Sequence, residues 1–296
     1  MSQITERINI IEIKEITSIP EANYLTEYLS SINKYKSIQT ILSDIHNTLP
    51  KELSSAVNVS VSNQKVEFDN TFLSSPNTLR AQFKKVYTTI KDNVSQHMPS
   101  KIEATKASVL ATISIMSYKV EEEKVVRDVI NALVKSRNKS SLKREIESLM
   151  HCLEVSHTKV FTSALSKACV KASLAVGFKE VEVKKVYGKL EVIATNSKGQ
   201  RLISEIDVHP KTRVVNMHTE TIGMTDRSCS LVMNQFNDEL RKMGIKIENV
   251  TIKFTGGSCQ MPYAKIIDQQ DKEQKRKKKE LERLRKLNIG QKQKQK

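Results

Sequence analysis

Residues 177–217 read GFKEVEVKKVYGKLEVIATNSKGQRLISEIDVHPKTRVVNM. Apolar residues fall at every second position in four short runs. These are Val181 and Val183; Leu190, Val192 and Ala194; Leu202, Ile206 and Val208; and Val215 and Met217. Successive strand side chains point to opposite faces, so this alternation buries one face and wets the other. Turn chemistry separates the runs: Tyr187-Gly188, the stretch 196–199 ending in Gly199, and His209-Pro210-Lys211. The spacing predicts an antiparallel meander of four strands.

Downstream the period changes. Cys229, Val232, Met233, Phe236, Leu240 and Met243 recur at helical spacing, with Thr225 placed as N-cap, Asp226 in the first turn and Gly244 as the stop. Val250, Ile252 and Phe254 predict a last strand before Gly256-Gly257. Region 177–265 therefore reads as an α+β domain, an antiparallel sheet of four to five strands with packed helices.

Upstream the composition shifts. All eight glycines lie at or beyond Gly177. Glycine and proline interrupt helices, and residues 100–176 contain neither, which predicts helix joined by polar turns. Three apolar stripes support this: Val126, Val129, Ile130 and Leu133; Leu142, Ile146, Leu149, Met150 and Leu153; Phe161, Leu165, Ala168, Cys169 and Ala172. Region 99–176 reads as a helical bundle or hairpin array, with a boundary near Val176. Region 1–98 reads as mixed and mostly helical. Ile8, Ile10 and Ile13 form a short β-like stretch, and helices are expected at 21–32 and 37–46. A hairpin is expected from 56–61 to 66–68. Ser75-Pro76 then opens a helix carrying Leu79, Phe83, Val86, Tyr87, Ile90 and Val94, ending before Pro99. Region 266–296 is a basic tail, expected to be a solvated helix over 272–286 and disordered from Gln291.

The chain has 296 residues, 49 Lys or Arg against 33 Asp or Glu, and a net charge of +16. The tail beyond residue 267 carries +7, so the body is basic as well. The N-terminal 15 residues lack the apolar core and cleavage site of a secretory signal. The longest uncharged run, 107–118, is too short to span a bilayer, so no membrane is expected. Four cysteines without CxxC spacing fit reduced thiols in the cytoplasm.

Common catalytic fingerprints are absent: no GxxxxGK[ST], GxGxxG, GxSxG or HExxH, and no zinc-like spacing. No cofactor or metal is predicted. One constellation has catalytic chemistry. Glu205 and Asp207 share a strand face, and His218 and Glu220 share one on the next strand. If the hairpin through Pro210 pairs these strands, the four residues form an acid/base or divalent-metal patch; otherwise they are the wet face of the sheet. Cys229 at a helix start has the position of an activated thiol, but it also opens an apolar stripe and reads better as a small hydrophobe. Phosphate contacts need only displaced counterions. The basic connector with Lys135, Arg137, Lys139, Lys143 and Arg144 is a candidate nucleic-acid contact. So are the group Lys179, Lys184, Lys185 and Lys189, and the tail with Lys275, Arg276, Lys277, Lys278 and Lys279. The chain is poor in aromatics for base stacking, with no Trp.

The run from Gly188 to Gly257, in which Gly223-Met-Thr-Asp-Arg-Ser-Cys229 opens a helix that stops at Gly244, resembles a family of small uncharacterised bacterial and cyanobacterial proteins encoded beside AAA+ ATPases. The resemblance implies an accessory protein acting with an ATPase and supplies no catalytic residue. The residues point to a non-enzymatic adaptor that binds a partner protein and a polyanion, with nucleic acid as the expected polyanion. The alternative is a small metal-dependent hydrolase using Glu205, Asp207, His218 and Glu220.

Overall fold

The computed structural model describes residues 8–20, 36–46, 48–62, 72–98, 100–116, 119–120, 123–224, 228–254 and 259–293. The fold is α+β. The expected meander forms as β5 (Glu180–Val186), β6 (Lys189–Thr195), β7 (Arg201–Val208) and β8 (Val215–Ile222), each antiparallel to the next. The first turn shows why the hairpin is tight. Tyr187 (φ 49°) and Gly188 (φ 83°) are both left-handed, the geometry of a type I′ turn. The last strand, β9 (Lys246–Phe254), also forms.

β8 and β9 are not neighbours. Between them lies β1 (Ile8–Pro20), which pairs antiparallel with β8 through Ile10–Ile13 and with β9 from Ile8 to Ser18. β3 (Phe72–Ser74) adds to the far end of β1, on the edge that β8 also uses. The sheet therefore runs β5-β6-β7-β8-β1-β9, and residues from region 1–98 complete a sheet that the sequence places in 177–265.

The helices of the N-terminal half are α1 (Ile38–His46), α2 (Lys51–Ser62), α3 (Leu79–Gln96), α4 (Lys101–Met116) and α5 (Glu123–Lys135). A two-residue ladder pairs β2 (Lys36–Ser37) with β4 (Lys119–Val120). The hairpin expected at 56–61 is corrected: that segment is α2. Leu53, Ala56 and Val57 are buried at helical spacing, and packing of that face overrides the β-branched alternation of residues 57–61. Residues 66–68, the helix expected at 21–32 and the N-cap at Thr225 lie outside the described residues. Ser75 is extended, with Pro76 opening a 3-10 turn ahead of α3, but its side chain makes no cap hydrogen bond.

The second and third apolar stripes lie on one helix. α6 (Lys139–Ala175) has 37 residues, about 55 Å at 1.5 Å per residue. Asn138 caps its start, its Oδ1 accepting from Ser141 N at 2.8 Å. Gly177 (φ 98°) ends it: Gly177 N donates to Leu174 O and Phe178 N to Ser173 O, the paired bonds of a Schellman stop. The first half of α6 gives Leu142, Leu149, Met150 and Leu153 to the core of the helical layer. The second half gives Val160, Phe161, Leu165, Ala168 and Ala172 to a second core, against one face of the sheet and α7 (Ser228–Lys242). Phe161 and Phe236 are fully buried there, and truncation of such a side chain costs about 3–5 kcal/mol. Arg80 ties α3 to α6, its Nε donating to Glu154 Oε1 at 2.6 Å and a terminal nitrogen to Glu147 at 3.0 Å.

The opposite sheet face meets α8 (Pro262–Gln293). Ile193, Ile203 and Ile222 pack there on Met261, Ala264 and Ile267. Disorder was expected from Gln291, but the helix continues to Gln293.

Candidate functional site

Period-two alternation places Glu191 on β6, Glu205 and Asp207 on β7, and His218 and Glu220 on β8 on the sheet face that α8 meets. The register adds detail. Glu205 stands directly opposite His218, Asp207 opposite Asn216, and Glu220 opposite Ile203. All four residues singled out from sequence thus share a face, but they do not converge as equals. Glu205 and Glu220 are buried, whereas Asp207 and His218 are half-buried. Among the described residues no group of three or more His, Cys, Asp or Glu comes together as a metal site.

Glu191 was not singled out from sequence, yet it stands directly opposite Glu205. The available signal was its place between Leu190 and Val192, the parity of an outward residue. Its burial, at 1% exposure, depends on tertiary packing. Burial first, then the charge of Glu205 and a hydrogen bond to it, push the Glu191 carboxyl up to about 8. Of two carboxyls this close, Glu191 is the one that keeps a proton. Lys189 neutralises the rest: its Nζ lies 2.6 Å from Glu205 Oε1 and 3.9 Å from Asp207 Oδ2.

Glu220 has a different task. Its Oε1 accepts from Gln260 N at 2.6 Å and Met261 N at 3.1 Å, just before α8 begins. Burial raises this carboxyl to about 7 even though the two amides and Lys265 pull it down. The face therefore does two things: it holds a proton at Glu191 and grips the start of α8 through Glu220.

The first part of α8 is held against the sheet. Arg201 reaches Asp271 at 3.0 Å, and from residue 272 to 286 every residue is exposed. This fifteen-residue run, roughly 22 Å of helix, carries nine Lys or Arg against three Glu. It includes Lys275, Arg276, Lys277, Lys278 and Lys279. Lys277 also pairs with Glu273 at 2.8 Å, an exposed contact of little worth. Leu281 and Leu284, one turn apart, are exposed as well, at 57% and 52%.

The connector residues Lys135, Arg137, Lys139, Lys143 and Arg144 are all exposed, at the α5–α6 turn. They lie about 30 Å along α6 from Val160, where the sheet core begins. Arg144 pairs with its neighbour Glu145 at 2.7 Å. Of the other basic group, Lys179, Lys184 and Lys185 are exposed, whereas Lys189 is engaged with Glu205.

Three of the four thiols are buried, and Cys152 is half-buried. Burial pushes Cys169 up to about 12 and Cys259 up to about 11. Cys229 is fully buried, with its Sγ 2.7 Å from Thr221 Oγ1. No disulfide links the four cysteines. No described helix is long and apolar enough to cross a membrane. Comparison with known proteins leaves the reading to this geometry, since no family model, curated protein or solved structure matches the chain.

Proposed function

We propose that the chain is a non-enzymatic adaptor that binds a polyanion, nucleic acid in the first instance, and a partner protein through the same projecting helix. One observation carries the reading: residues 272–286 of α8 are exposed on every side and present nine cations on a helix gripped at its root by Glu220. Phosphate affinity needs such a row of cations and no sequence-reading pocket. Exposed Leu281 and Leu284 on that helix offer an apolar anchor to a protein. An ATPase partner follows from the resemblance alone.

The hydrolase alternative is favoured by a different observation, the raised carboxyls of Glu191 and Glu220, which suit proton transfer. Against it, Glu205 is committed to Lys189 and Glu220 to backbone amides.

Filter binding of an oligonucleotide across a salt series tests the polyanion reading. Log affinity should fall linearly with log salt at a slope of about −0.9 per phosphate neutralised. Removal of residues 272–296 should flatten that slope. Replacing Lys139, Lys143 and Arg144 with Gln should weaken binding equally across oligonucleotide sequences. No binding by the full chain at about 50 mM salt, where counterion release is strongly favourable, would end the nucleic-acid reading.

A further inference from the structure

The sheet ends at β5, and its outer edge has no strand beside it among the described residues. Glu182, Val183, Lys184 and Lys185 are exposed, with Val183 at 42%. β5 contains no Pro or Gly, and its register with β6 runs unbroken from Glu180 to Val186. Neither a bulge nor a proline interrupts the strand, and the charges that would otherwise blunt its edge, Lys184 and Lys185, are matched by Glu180 and Glu182.

The turn fixes which backbone groups face outward. In the Tyr187-Gly188 turn the closing bond joins Val186 to Lys189, so that pair is the hydrogen-bonded kind. Hydrogen-bonded and open pairs alternate along an antiparallel ladder. Val186, Lys184 and Glu182 thus point their N–H and C=O groups at β6. Lys185, Val183 and Val181 point theirs out, where a strand of the same spacing can meet them.

The charges on this edge are complementary to themselves. Glu180 and Glu182 lie on one side of Val183, and Lys184 and Lys185 on the other. Antiparallel pairing of β5 with a second β5, centred on Val183, sets Glu182 opposite Lys184 twice and Val181 opposite Lys185 twice. Val183 of each copy then meets the other at the two-fold axis. Moving the centre by one residue sets Glu182 opposite Glu182 or Lys184 opposite Lys184, which like charges disfavour. Glu182 and Lys184 now pair within the strand at 2.6 Å, an exposed contact that can be exchanged for the cross-strand one.

We infer that β5 is a homodimerisation edge: two copies pair antiparallel through Val181–Lys185 about a two-fold axis at Val183, making one continuous sheet. The contact is isologous and closes on itself. Its axis runs perpendicular to the sheet, so both α8 helices lie on the same face and a polyanion meets two basic helices. The inference is independent of the adaptor reading, because a monomer with α8 intact would still bind an oligonucleotide.

Sedimentation of the full chain at about 100 µM, a concentration suited to a small interface, provides the test. A mass of twice the 33.6 kDa chain is expected. Glu182→Lys and Lys184→Glu should each weaken self-association by roughly tenfold or more, since both cross-strand pairs become like-charged. Mixing the two variants should restore a dimer, because at positions 182 and 184 one chain carries two lysines and the other two glutamates. The double reversal should also dimerise. Recovery on mixing separates a lost contact from a lost fold. A monomeric full chain, including one that pairs only when an extended peptide from a partner is added, would overturn the inference. So would two single variants that associate as tightly as the original, or a mixture that stays monomeric.

Discussion

A carboxyl enclosed at Glu191 keeps its proton at a pH where water would remove it. The unfolded chain releases that proton near 4.5 and the folded chain near 8. Between these values the folded state binds more protons than the unfolded one, so stability falls as pH rises through that window and levels off above it. Glu220, raised to about 7, adds to the same trend over a shorter range. Glu191→Gln keeps a neutral side chain of similar shape and removes the ionisation. We expect the variant's melting temperature to pull ahead of the original as pH goes from 5 to 8.5. A constant difference across that range would show that Glu191 is not the proton holder. Part of this cluster was legible from residue parity alone: Glu205, Asp207, His218 and Glu220 share one face, as alternation implies. Glu191 was not, because its role depends on the strand register that sets it opposite Glu205.

Among the elements, α6 couples the two cores. Its stripes read as two helices because a mostly polar segment, 154–159, separates them, yet that segment has no glycine or proline to break the ladder. Glu154 and His157 within it are buried, so polarity there reflects partners rather than a turn. Arg80 meets Glu154 from α3. Thr158→Pro removes a mid-helix N–H and should cost about 3 kcal/mol. We expect its single thermal transition to split in two, the helical layer and the sheet layer melting apart. One sharp transition, merely lowered, would mean that the cores communicate by another route. α2 makes the opposite point. Residues 56–61 alternate well enough for a strand, but burial of Leu53, Ala56 and Val57 selects the helix.

The whole molecule is tied together by β1. Without residues 8–20, β8 and β9 would each lose a full neighbour. A fragment starting at residue 177 lacks β1 and also the α6 residues that cover the sheet. We expect it to give no dispersed amide spectrum, whereas the full chain does. A well-dispersed fragment would show that the meander and α7 suffice on their own.

The features written locally in this chain are those carried by a few adjacent residues. Alternation specified β5 to β8, turn residues placed the hairpins, Gly177 and Gly244 stopped their helices, and the density of cations marked the exposed end of α8. Folding over long separations settled the rest. Ile10 meets Glu220 across about two hundred residues, and no window of sequence contains both partners. The continuity of α6, the insertion of β1 and the enclosure of Glu191 each depend on burying a face against a distant element. That free energy belongs to the pair of surfaces, and neither surface shows it alone.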